Sequence, residues 1–109
     1  MEELRAQIKE IEENIRQYRT LLLLSQNNLA AQYLPILVEG LEKVIPQIVV
    51  SYEREEFKEV RADQQYWVNQ LQRVLDAIES GDSFLQIDVL YYEILENLEL
   101  YLDMTRGLA

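Results

Sequence analysis

Apolar residues recur along most of this chain at intervals of three and four, the spacing that gathers them on one face of an α-helix. In the last long segment, Ser83 to Met104, the residues Phe84, Ile87, Leu90, Tyr91, Ile94, Leu95, Leu98, Tyr101 and Leu102 form one broad stripe. A stripe that wide needs several partner helices. Opposite it stand Glu93, Glu96, Glu99 and Asp103, an acidic ridge with no Lys or Arg before Arg106, which stays in water or meets something basic. At the other end of the chain, Leu4, Ile8, Ile11, Ile15, Tyr18 and Leu22 alternate steps of four and three, a heptad seam over nearly three repeats. The seam fits an edge helix of a bundle, with Glu12 and Arg16 paired i,i+4 on its outer face. Leu21, Leu23 and Leu24 widen the apolar face at its end and predict that the helix tucks under a neighbour there.

Between these segments the pattern continues with interruptions. Ser25 to Asn28 is polar and breaks the first helix, with Asn27 or Asn28 placed to cap the next. Leu29, Tyr33, Ile36, Leu37, Leu41, Val44, Ile45 and Ile48 are again helical in spacing, but Pro35 and Pro46 interrupt them. Pro35 predicts a kink or a late start, and Pro46 an end and a new beginning, because each lacks the donor a helix interior requires. Phe57, Val60, Trp67, Leu71, Val74 and Ile78 share a third seam, with Gln64 in its polar slot. They predict one helix near 53–79, about 40 Å long at 1.5 Å per residue, whose first turns overhang the bundle. Ser80 to Ser83 is a tight turn, with Gly81 suited to the left-handed residue after a helix and Ser83 with Gln86 matching a capping box. Thr105 to Ala109 are expected to fray. The prediction is all-α: an antiparallel four-helix bundle near 2–24, 28–50, 53–79 and 83–104, its second helix kinked or broken.

Composition supports a single helical domain spanning 1–109. Only 3 Gly and 2 Pro accompany 49% hydrophobic residues, which favours long regular elements. The apolar run Thr20 to Val38 carries Ser25, Gln26, Asn27, Asn28 and Gln32 at its centre, which excludes a membrane span. The charged start, Met1 to Arg5, is unlike a signal peptide, and a cytoplasmic location is expected. With 20 acidic against 10 basic residues the net charge is −10, wrong for binding phosphate backbones or anionic membrane surfaces. A basic protein partner remains compatible with it.

Leu75 to Asp82 (LDAIESGD), followed by Asp88 to Ile94 (DVLYYEI), resembles the closing signature of an uncharacterised family of small acidic helical proteins of Gram-positive bacteria. Leu37 to Glu42 (LVEGLE) is similar to a second stretch of that family. Together these cover about a third of the chain, and Glu96 stands where the family has Pro. The resemblance implies an all-helical bacterial protein of the cytosol and no known activity.

Candidate chemistry is sparse. The chain has no Cys and no His, so a thiol nucleophile, a zinc–thiolate site, an activated serine and the Glu-x-x-His di-iron motif are all excluded. Glu93 with Glu96, or Glu96 with Glu99, could form a carboxylate pair, but nothing in the sequence desolvates them. The reading is therefore a non-enzyme without cofactor or metal. Asp88, at the edge of the apolar stripe, predicts a polar network with Tyr91 and the ring N–H of Trp67 that fixes helix register. Leu85, Val89, Tyr92 and Leu100 exceed what one bundle can bury. With Glu93, Glu96 and Glu99 they form the candidate interaction surface, for a protein partner or for a second copy in a two-fold dimer. The leading function is a small cytosolic adaptor or chaperone-like interaction module, similar in size and acidity to flagellar and type III secretion chaperones. The alternative is a small-molecule or metal-binding bundle using Asp88, Glu93 and nearby tyrosines.

Overall fold

The computed structural model describes residues 1–57 and 64–108. Helix α1 spans Glu2–Leu23, α2 Asn27–Ala31, α3 Tyr33–Ser51 and α4 Gln64–Ser80. The last rod is continuous but mixed: α5 (Ser83–Ile87), a π-helical turn (Asp88–Ile94) and α6 (Leu95–Met104). No strand occurs among the described residues, and the molecule is an all-α bundle of four rods measuring 45 × 23 × 19 Å. Neighbouring rods are antiparallel. Gln47 reaches Gln7 from α3 to α1, Trp67 reaches Tyr52 from α4 to the end of α3, Gln86 reaches Ala77 from α5 to α4, and Arg5 reaches Leu102 from α1 to α6. The Met1 end of the bundle thus holds the starts of α1 and α4 and the ends of α3 and α6, while α1 and α4 finish at the far end.

The heptad seam of α1 is the core face: Leu4, Ile8, Ile11, Ile15 and Tyr18 are all buried. Its end departs from expectation. Leu23 and Leu24 are each 64% exposed and tuck under nothing, because the chain turns away at Ser25. Ser25 adopts φ 60° while Ser25 N–H bonds the Leu22 carbonyl and Gln26 N–H the Leu21 carbonyl, a helix-closing motif in which glycine usually stands. Neither Asn27 nor Asn28 caps α2; Gln26 occupies the cap position without a side-chain bond.

The second rod is bent, as its prolines predict, though at one of them only. α2 gives way to α3 at Gln32, and Pro35 sits in the first turn of α3, where a missing donor removes no helix bond. Pro46, expected to divide the rod, lies inside α3. Pro46 and Glu42, four residues before it, are both exposed, so water can serve the carbonyl that proline leaves unpaired. Leu37, Leu41, Val44, Ile45 and Ile48 are buried. Gly40 permits the close approach of α1 and α3, since a Cβ there would stand 3.0 Å from Ile11 Cγ1.

The third rod is shorter than its seam suggests. From Tyr52 to Phe57 the chain forms turns and a 3-10 turn, Glu55–Phe57, and the described helix begins at Gln64. Charged side chains crowd Glu53 to Glu56, and Tyr52 and Phe57 on either side of them reach the core. Val60 of the predicted seam lies outside the described residues. Gln64 Nε2 donates to the Val49 carbonyl at 2.8 Å, and Trp67, Gln70, Val74 and Ala77 face inward.

One backbone feature rearranges the last rod. At 100° per residue, Gln86 and Leu102 would lie roughly 160° apart, and the extra residue taken up by a π turn reduces this to roughly 60°. Gln86, Val89, Leu90, Ile94, Leu95, Leu98, Tyr101 and Leu102 consequently share the buried face. The same rotation turns Phe84, expected in the core, into water at 83% exposure. Asp82, rather than Ser83, caps this rod, its carboxylate accepting from the N–H groups of Phe84 and Leu85. Gln86 is then free to go inside, where its Oε1 accepts from the Tyr18 hydroxyl and its Nε2 donates to the Ala77 carbonyl. At the far end of the rod Thr105 is fully buried and does not fray: it donates to the Tyr101 carbonyl and accepts from Arg5. Ala109 lies outside the described residues.

Candidate interaction surface

The side chains that sequence spacing nominates for binding sort into three places. Phe84, Asp88, Tyr92 and Glu96 step by four along the last rod, the spacing that its π turn keeps on one face, all are exposed, and they form its outermost stripe with Leu85 beside them. Val89, assigned to the same surface, is 2% exposed, because the π turn moves it into the core. Leu100 faces another direction, lining a small open cleft with Tyr66, Trp67, Asn97 and Met104 near the Met1 end.

The acidic ridge is less continuous than the sequence implies, because cations reach it from neighbouring helices. Arg73 of α4 holds Glu93 in a two-pronged pair, Nε to Oε1 at 3.1 Å and a terminal nitrogen to Oε2 at 2.7 Å. Arg16 of α1 holds Glu99 at 2.9 Å, and Arg106 holds Asp103 at 2.8 Å. Arg16 thereby leaves the partner predicted for it. Glu12 is only 5% exposed, lies on the α6 side of α1, and has one carboxylate oxygen without a partner. Burial raises its pKa above the usual 4.5, Glu99 and Asp103 add to the rise, and Arg16 and Lys9 oppose it.

The network predicted among Asp88, Tyr91 and Trp67 does not form. Asp88 is exposed on the outer stripe. Tyr91 lies beneath the Arg19 guanidinium, 4.4 Å from the ring centre, and meets Tyr92 edge to face. Trp67 is buried at the opposite end and donates to the Tyr52 hydroxyl at 2.9 Å. There it belongs to an aromatic cluster that spacing alone does not reveal: Tyr52, Phe57 and Tyr101 meet edge to face, and Trp67 meets Tyr101 likewise at 6.3 Å. Ser51 Oγ donates to the Ile48 carbonyl and accepts from the Tyr101 hydroxyl at 2.5 Å. Burial raises the pKa of Tyr101 and of Tyr18, so both hydroxyls keep their protons and act as donors.

Beside this cluster a wider, open cleft of about 570 Å³ runs between α1 and α3, lined by Met1, Leu4, Pro46 and Val50, with Glu3, Gln47 and Arg54 at its polar edge. Among the described residues no group of three or more Asp, Glu, His or Cys side chains is placed to hold a metal ion. No helix among them is long and apolar enough to cross a membrane. What the arrangement can do chemically is to present apolar surface edged with carboxylate. No protein-family model, curated protein or solved structure matches the chain.

Proposed function

We propose that this chain is a protein-interaction module, a small cytosolic adaptor or chaperone-like protein that engages a partner through the outer face of its last rod. The observation that carries the reading is Phe84. A large aromatic side chain at 83% exposure, beside Leu85 and with Tyr92 two turns further along the same rod, contributes little to a core that is complete without it. Aromatic side chains held on a rigid helix are the usual anchors of protein interfaces. Tyr92 is braced edge to face by Tyr91, whose ring lies against the Arg19 guanidinium of α1. The test is a paired purification from the native host with the wild-type chain and a Phe84→Ser, Tyr92→Ser double variant. A partner lost with the double variant, at an unchanged melting temperature, supports the reading. Recovery of the same proteins by both chains overturns it.

A second reading rests on the cleft between α1 and α3. Its size and apolar lining suit a small hydrophobic ligand. Asp88 and Glu93 take no part in it, since one faces water and the other is held by Arg73. A thermal-shift screen settles the choice: stabilisation by one ligand, abolished by Val50→Glu, would favour this reading over the first.

A further inference from the structure

We infer that the partner seated on the outer face of the last rod is a basic amphipathic helix, its apolar and cationic residues alternating in step with those of this chain. The inference rests on the interaction reading and specifies its partner. From Val74 to Thr105 the sequence contains no Lys or Arg but eight carboxylates: Asp76, Glu79, Asp82, Asp88, Glu93, Glu96, Glu99 and Asp103. Glu93, Glu99 and Asp103 are held by arginines from outside that stretch. Among the described residues Asp76, Glu79, Asp82, Asp88 and Glu96 have no cationic partner, and all five are exposed. Asp82 is committed to capping α5. The unmatched carboxylates at the end of α4 and along the outer stripe therefore accompany the exposed Phe84, Leu85 and Tyr92.

Order along the stripe is what selects the partner. Phe84, Asp88, Tyr92 and Glu96 read apolar, acidic, apolar, acidic along one face. A helix laid alongside meets this pattern with Leu or Phe opposite Phe84 and Tyr92 and with Lys or Arg opposite Asp88 and Glu96. Such a partner covers the apolar surface and matches the charge in one contact. A second copy of the chain could cover the apolar residues, but in a two-fold contact it would bring the same carboxylates together on a molecule of net charge −10. A neutral partner would leave Asp88 and Glu96 desolvated without a counter-charge.

Two synthetic helical peptides of equal length test this, identical in their Leu and Phe positions, one with Lys and the other with Glu on the polar face. Each is titrated into the ¹⁵N-labelled full chain at low and at physiological salt. The Lys peptide is expected to shift the amides of Leu85, Asp88, Tyr92 and Glu96 and to weaken with salt, while the Glu peptide leaves them unmoved. Asp88→Lys with Glu96→Lys should weaken the Lys peptide at least about tenfold. Should that double variant fail to melt like wild type, Glu79→Lys with Glu96→Lys replaces it. Shifts spread equally over Glu39 and Glu42 of α3, equal binding of both peptides, or no binding of the Lys peptide would each overturn the basic partner. A partner in the paired purification that still depends on Phe84 and Tyr92 would in those cases leave the interaction reading standing. Sedimentation showing a dimer that Phe84→Ser dissolves would replace the basic helix with a second copy.

Discussion

The two ends of this bundle treat their large side chains in opposite ways. At the Met1 end Tyr52, Phe57, Trp67 and Tyr101 are all buried, and the hydroxyl, indole and serine groups that accompany them find partners inside. At the far end Leu23, Leu24, Phe84 and Leu85 stand in water around a turn that closes α1 with a non-glycine residue at positive φ. Buried aromatics with satisfied polar groups contribute area and geometry to the fold, whereas exposed ones contribute to it hardly at all. The Met1 end is closed around its aromatic cluster. The far end is open and, with the adjoining outer stripe, presents Phe84 and Tyr92, while Val50, Tyr66 and Leu100 leave apolar surface exposed at the Met1 end as well.

The largest test of that contrast is Trp67→Ala. It removes the ring that joins α4 to Tyr101 and the indole N–H that donates to the Tyr52 hydroxyl, and should destabilise by about 3–5 kcal/mol in chemical denaturation. A loss as small as that of a surface substitution would show that the aromatic cluster is not where stability lies. Next in size is Gln86→Ala, which leaves the Tyr18 hydroxyl buried without an acceptor. It should cost about 1–3 kcal/mol, set apart from the small effect of truncating exposed Leu85 one residue away. If both changes cost the same, the rotation assigned to the π turn is incorrect.

Ser25→Gly probes the open end directly. Glycine relieves the left-handed backbone and should stabilise by about 1 kcal/mol, read as a rise in melting temperature.

Glu12→Gln tests the one carboxylate that neither end accounts for. Its folded pKa is raised above 4.5 by burial, so the folded state holds its proton more tightly than the unfolded state does. The group therefore leaves stability undiminished below about pH 4.5, and the ionised carboxylate subtracts from it as pH rises through the folded pKa. The glutamine variant should exceed wild type at pH 7, and the difference should vanish in acid. A difference that grows on acidification would reverse the assignment.

The smallest expected effect is Phe84→Ser, within about 0.5 kcal/mol of wild type despite the size of the side chain removed. It sharpens the contrast with Trp67 more than any other change. Equal losses from the two would mean that the open end is packed after all.

How far the sequence could be read depends on which forces act locally. The α1 seam was legible because an uninterrupted helix keeps a constant angle per residue, so Leu4 to Tyr18 could be assigned to the core without knowledge of their neighbours. Pro35 and Gly81 were legible for a similar reason, since each acts on its own backbone. The turn at Ser80 to Ser83 was placed correctly, yet its cap went to Asp82 instead of Ser83, because adjacent residues of capping type differ only in starting the helix one residue earlier or later. Pro46 was misjudged because a helix packed on both sides tolerates a missing bond at an exposed position. Glu12 was misjudged because heptad position says nothing about how closely α6 will pack.

What the sequence by itself determined is the class and the pattern: helices, their number, the seam of α1, the bend of the second rod, and a chain without the residue types for thiol or imidazole chemistry. These depend on periodicity, backbone preference and composition, which are properties of the residues themselves. What only the tertiary structure decided is the rotation of the last rod. One π turn between Asp88 and Ile94 placed Gln86 and Val89 inside, put Phe84 in water, and so chose the surface available to a partner. The physical reason is that an extra residue in a helix is locally unfavourable and is held only by the packing of both halves of the rod against α1 and α4, a condition no local stretch of sequence contains.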